Sequence, residues 1–320
     1  MRKLNKSLIL SVIFVLVIAS MSSCSEVKLA EKPRALITRE VFTLERDGVK
    51  LHLECLKSGR DGEPLLLAHG VTFSSHEFDV NYKDYSVARF FAHRGFNVWL
   101  LDIAGYGQSG EVEDGFTPDT DYAVEDILAA ANLILEHEGR KSLDVLGWSW
   151  GAVIAGRFAA ENPELVRKLV MYAPIVAGLG DADVDEEFHH NTWGTAVSDF
   201  QRNKDKSINY TITEPEVVST YVANCWRYDK DSSPNGGRKD LLVAQSERLI
   251  PTEDIEVPVL IIAGSKDSYV SPELCREAFK TLKNKASRLE IVDGAGHAMM
   301  MEKPYYKTFR QKVLEFLRAN

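Results

Sequence analysis

Three residue types in this chain, set far apart, could together perform acyl transfer by a nucleophilic hydroxyl. Ser149 sits in Gly147-Trp148-Ser149-Trp150-Gly151, Asp267 follows the apolar run Val257 to Gly264, and His297 closes Gly294-Ala295-Gly296-His297. A serine hydroxyl is a weak nucleophile at neutral pH, so it needs a base within hydrogen-bond reach and a third group that fixes the tautomer of that base. Ser149, His297 and Asp267 are the candidates for nucleophile, base and orienting acid. In that scheme Ser149 attacks a carbonyl carbon while His297 takes its proton and returns one to the departing alcohol. Water then repeats the cycle on the acyl-enzyme and frees the acid, with no metal or cofactor required.

The elements that must position these groups are legible around them. Leu143-Asp144-Val145-Leu146 reads as a short buried strand, and Gly151 to Ala160 as a helix that Pro163 closes. Ser149 therefore falls on a sharp strand-to-helix turn, where Gly147 and Gly151 relieve the crowding that larger residues would create. Pro64-Leu65-Leu66-Leu67-Ala68 is a second strand, ending in His69-Gly70. The loop after it is placed to offer the Val71 amide as one oxyanion donor, with the Trp150 amide as the other. Val257 to Gly264 and Leu289-Glu290-Ile291-Val292 are further strands, delivering Asp267 and His297 past their C-terminal ends.

With the order Ser, Asp, His, and with Asn97-Val98-Trp99-Leu100-Leu101-Asp102 running into Gly105-Tyr106-Gly107-Gln108-Ser109-Gly110, the chain resembles the α/β-hydrolase superfamily from about Val41 to the C-terminus. The resemblance implies an α/β fold with a mostly parallel central sheet flanked by helices and a largely helical cap. Some such hydrolases carry the acid after the preceding strand, but Tyr172-Ala173-Pro174-Ile175 offers no carboxylate, which favours Asp267.

Elsewhere the pattern is simpler. Val41 to Leu44 and Val49 to Cys55 alternate around Asp47-Gly48, a hairpin signal. Asp121 to Glu138 reads as a surface helix stopped by Gly139. The cap is expected over about 176–254, with Thr213-Glu214-Pro215-Glu216 supplying a capping box and early proline to a helix through Trp226. Ser232 to Gly237 reads as a loop, and a possible hinge.

At 320 residues and 45% hydrophobic, the chain can bury one large core. A net charge of −9 with no compensating basic patch argues against nucleic acid. Arg2, Lys3 and Lys6 precede an apolar stretch of about 14 residues from Leu8 to Met21, short of the ~20 that span a bilayer. Residues 1–23 are thus expected to be a signal peptide. Met21-Ser22-Ser23-Cys24 resembles a bacterial lipoprotein processing site, although Met21 departs from the usual leucine. Lipid on Cys24 would tether the chain to a membrane, residues 24–39 would be a spacer, and 40–320 would form the hydrolase domain in the cell envelope, outside the cytoplasm. An uncleaved membrane anchor is the alternative.

Several residues have plainer readings. His69 resembles a structural histidine, His189-His190 a solvated pair rather than a metal site, and Asp102 a residue that orders its own turn. Glu253 and Asp254 precede their strand, the wrong end for a site in an open parallel sheet. Cys55 and Cys275 read as small buried hydrophobes, Cys225 is left open, and Met299-Met300-Met301 reads as core filler. Phe73, Trp148, Trp193 and Trp226 are the candidate substrate contacts, suited to an apolar or aromatic ester. Acyl transfer or carbon–carbon bond hydrolysis on the same three residues, or ligand binding without turnover, are the competing functions.

Overall fold

The computed structural model describes residues 36–59 and 61–319. The expected signal peptide and Cys24 lie outside the described residues. The sheet opens with a hairpin of β1 (Thr38–Arg46) and β2 (Val49–Lys57), which pair antiparallel across Asp47 and Gly48 at φ 50° and 77°. Positive φ at both positions gives the two-residue turn whose twist matches its strands.

In chain order the remaining strands are β3 (Glu63–Ala68), β4 (Phe96–Asp102), β5 (Leu143–Trp148), β6 (Val166–Tyr172), a short pair β7 (Phe188–His190) and β8 (Ser232–Pro234), then β9 (Val259–Gly264) and β10 (Arg288–Val292). The main sheet runs β1-β2-β4-β3-β5-β6-β9-β10, parallel from β4 onward. Its central strands are buried on both faces, which explains their unbroken apolar runs: Leu65, Leu66, Leu67, Val145 and Leu146 are fully covered. The helices are α1 (Val87–Ala92), α2 (Thr120–Glu138), α3 (Trp150–Glu161), α4 (Trp193–Ala196), α5 (Pro215–Tyr228), α6 (Gly236–Leu241), α7 (Pro272–Thr281) and α8 (Tyr306–Arg318). Gly139 closes α2 in the left-handed conformation at φ 61°.

The segment between β6 and β9 forms the cap, carrying α4, α5, α6 and the antiparallel β7–β8 pair. Its two ends meet where Ala177 bridges Arg248. Two expectations for the cap need correction. The residue capping α5 is Glu214, with no side-chain cap bond, because its carboxylate is held by Lys83 and by the Tyr85 hydroxyl. The capping box forms instead at α4, between Thr192 and Thr195. Ser232 to Gly237 is no loose hinge either: Ser233 to Gly237 are buried, and a side chain on Gly237 would collide with the Trp150 ring. Cys55, Cys225 and Cys275 are all buried free thiols, and burial pushes those of Cys55 and Cys275 up to about 12. Met299 to Met301 pack in the core. Among the described residues, no helix is long and apolar enough to cross a membrane.

Candidate active site

Ser149 stands between β5 and α3 with φ 59° and ψ −116°, a conformation that costs a non-glycine residue on the order of 1–3 kcal/mol. Its neighbours permit that turn. A Cβ on Gly147 would strike the Gly151 carbonyl, and one on Gly151 would strike the carbonyl of Ala68 at the end of β3. The Ser149 amide donates to the Tyr172 carbonyl (3.0 Å), tying the turn to β6.

His297 and Asp267 arrive from the ends of β10 and β9. His297 Nδ1 meets Asp267 Oδ2 at 2.8 Å, with both side chains almost fully buried. The other oxygen of Asp267 accepts from the amides of Tyr269 (2.9 Å) and Val270 (3.0 Å), so the carboxylate has one orientation. Tyr172 holds the histidine loop: its hydroxyl donates to the His297 carbonyl (2.6 Å) and accepts from the Met300 amide (3.1 Å). Glu302 accepts from the Gly296 amide (2.9 Å) and from Gln201 Nε2 (2.9 Å). Burial on its own would lower the pKa of His297. The charge and hydrogen bond of Asp267, with Asp199 and Glu302 beyond, outweigh burial and raise it.

Ser149 and His297 both line a cavity of about 330 Å³ under the cap, at the small end of ligand pockets. Val71 lines it too. The Trp150 amide begins α3, and among the described residues neither that N–H nor the Val71 N–H is paired with an acceptor. The Val71 carbonyl accepts from the Tyr106 hydroxyl (3.0 Å), and Trp150 Nε1 donates to Thr120 Oγ1 (3.0 Å), leaving the indole outside the cavity.

Of the expected substrate contacts, Phe73 and Trp148 line the cavity, and Trp148 stacks on Tyr172 beside the His297 ring. Trp193 and Trp226 do not line it, which corrects the expectation. The inward stripe of α5 is Val217, Val218, Tyr221, Val222 and Cys225, and Trp226 falls just off it. There it pairs with Trp193, which is 63% exposed. Tyr221 is the aromatic that α5 presents to the cavity.

His69 is structural: its Nδ1 donates to the Gly70 carbonyl (2.7 Å) and its Nε2 accepts from the Ile103 amide (3.1 Å). Asp102 orders its turn through the Gln108 amide (2.9 Å) and also holds Ser75. His189 is no fully solvated residue, because β7 sets it in the cavity wall. Burial, then the Arg238 cation beside it, pushes its imidazole down to about 4. Among the described residues no group of three His, Cys, Asp or Glu could hold a metal.

The charged cavity residues that sequence reasoning missed are Glu77, Asp199 and Arg238. Glu77 Oε1 accepts from the Gly70 amide (2.7 Å), and burial raises its carboxyl well above the usual range. These residues follow no period and no strand end in the sequence, so only the folded chain brings them together.

A family model described as serine aminopeptidase, S33, matches residues 64–304. The chain belongs to that family. It is therefore a hydrolase, and the mostly parallel sheet with its flanking helices is that of an α/β hydrolase. A pimeloyl-[acyl-carrier protein] methyl ester esterase of Neisseria meningitidis serogroup A is 26% identical over 203 residues, covering 59% of this chain and 64% of that protein. Lipase 1 of Psychrobacter immobilis is 24% identical over 327 residues, covering 94% and 98%. A solved hydrolase from Pseudomonas aeruginosa PA01 superposes with a TM-score of 0.65 at 19% identity, covering 88% of this chain and 99% of that one.

Proposed function

We propose that the chain cleaves carboxylic esters through Ser149, His297 and Asp267, by way of an acyl-enzyme. The observation that carries the reading is a strained serine on a helix N-terminus sharing one cavity wall with a histidine bonded at 2.8 Å to a buried, doubly anchored aspartate. Ser149 Oγ bonds to the ester carbonyl carbon as its proton passes to His297 Nε2. The tetrahedral oxyanion is met by the Val71 and Trp150 amides, each worth on the order of 10² to 10³ in rate. Collapse breaks the carbon–oxygen bond, and the leaving alkoxide takes the proton from His297. Water, deprotonated by the same imidazole, then attacks the acyl carbon; the bond to Ser149 Oγ breaks, Oγ takes the proton back from His297, and the carboxylic acid is released. The esterase and lipase among the relatives act on bonds of this kind, and the small cavity suits a short ester.

Ser149→Ala is expected to lower turnover of p-nitrophenyl acetate by on the order of 10⁶ and to abolish labelling by a fluorophosphonate probe. Near-normal turnover in the variant would end the assignment. Failure of the folded wild type to label would favour a binding protein. We further propose a lipid-anchored envelope protein, supported by the basic and apolar leader before Cys24. Intact-mass analysis finding Met1 present or Cys24 unmodified would remove that proposal.

A further inference from the structure

The cavity lining carries charge of both signs. Asp199 acts on His297 and Asp267. Arg238 of α6 lines the same cavity, bonded to Thr72 and with its charge acting on His189 and Tyr106. A guanidinium carries five N–H donors and stays charged in proteins. Arg238 gives one to Asn235 Oδ1 and one to Thr72 Oγ1 (3.0 Å), both neutral oxygens. Among the described residues it has no carboxylate partner, although it is partly buried and lines the cavity. Burying such a cation without a counter-ion is costly, and a planar fork with spare donors is the shape that a carboxylate accepts in bidentate fashion.

The wall beside it is apolar. Ile175, Leu179, Leu241 and Leu242 line the cavity, and the Leu179 amide bonds to the Leu241 carbonyl (2.8 Å), so this lining is continuous with α6. His189, neutral at ordinary pH, adds an N–H or a lone pair next to the cation. Direction follows from the reaction. His297 must protonate the departing alcohol, so the alcohol half lies beside His297 and the acyl half extends away from it.

We propose that Arg238 recognises a free carboxylate on the acyl half of the substrate, making the preferred substrate a short half-ester of a dicarboxylic acid. This rests on the ester-hydrolase reading above and names the substrate class of that site. The methylene chain lies along Leu179, Leu241 and Leu242, and the carboxylate takes the unused donors of Arg238.

The test compares kcat/KM for monomethyl adipate and for methyl hexanoate, its neutral counterpart, in the full chain. Wild type is expected to favour the anionic ester. In Arg238→Gln the anionic-to-neutral ratio should fall by on the order of 10- to 100-fold, the scale of a hydrogen bond to a charged group, and Arg238→Lys should restore part of it. The proposal is overturned if wild type shows no preference, or if Arg238→Gln loses both esters equally, since Arg238 then only braces Thr72 and Asn235. A ratio that collapses instead for 3-acetoxypropanoate over propyl acetate would move the anion to the alcohol half and refute the assignment. Should wild type turn over neither methyl hexanoate nor p-nitrophenyl acetate, the hydrolase reading has failed by itself. Calorimetric titration of Ser149→Ala with monomethyl adipate then decides the anion site. Binding lost on adding Arg238→Gln upholds it, and no binding to Ser149→Ala sinks it.

Discussion

In the proposed mechanism His297 must be neutral to accept the serine proton, so every acid near it sets the lower edge of the working pH range. Burial favours that neutral form, whereas Asp267 and Asp199 favour the imidazolium and prevail. Activity therefore falls as pH drops through a histidine pKa above the ordinary value. Asp199→Asn removes one of those acids while leaving the Asp267 bond in place. The acid limb of its kcat/KM profile should move to lower pH, and an unmoved limb would show that Asp199 does not reach the imidazole. At this scale the sequence was informative where chemistry coincides with a strand end. Ser149, Asp267 and His297 each follow an apolar run, and glycine marks the crowded turn. Asp199 and Arg238 sit in an insertion whose path depends on tertiary packing, so neither their direction nor their company could be read.

Between elements, the cap is stitched to the loops that follow β3 and β4. Asp229, just past α5, accepts from the Ser74 amide (3.1 Å), the Ser74 hydroxyl (2.9 Å) and the Gly107 amide (2.9 Å). The Tyr106 hydroxyl reaches the carbonyls of Val71 (3.0 Å) and Pro234 (3.2 Å), while Arg238 holds Thr72. Asp229→Ala strands buried donors and should lower unfolding stability by about 2–4 kcal/mol in a urea titration. Burial, aided by Asp102, pushes the Asp229 carboxyl up to about 7, above the usual aspartate range. The folded state thus holds this proton more tightly than the unfolded one. Its contribution is complete below about pH 4 and is lost as pH rises through about 7. Asp229→Asn should flatten that part of the stability profile, and an unchanged slope would show that Asp229 does not titrate in this range. Sheet, hairpin and α2 were legible because their periods and stop signals are local. The cap's β7–β8 pair was not, since strands of three residues carry no usable period, and the apparent hinge at Ser232 to Gly237 is a packed corner whose glycines admit Phe116 and Trp150.

For the molecule as a whole, acidic charge bears on the membrane attachment proposed above. With a net charge of −9 the chain gains nothing from anionic headgroups, and loss of Arg2, Lys3 and Lys6 with the leader would make it more acidic. If Cys24 carries the anchor, Cys24→Ser should move the protein from the membrane pellet to the supernatant, while about 1 M salt, which screens charge beyond ~3 Å, should release little wild type. Release of wild type by salt would instead point to a charged partner. The stitching of cap to sheet bears on how such a molecule can be re-engineered. A chimera that exchanged only the insertion between β6 and β9 for a relative's would sever Asp229 from Ser74 and Arg238 from Thr72. Transplants should therefore carry the segments around Val71 to Ser75 and Asp102 to Ser109 along with the lid, as one heritable block.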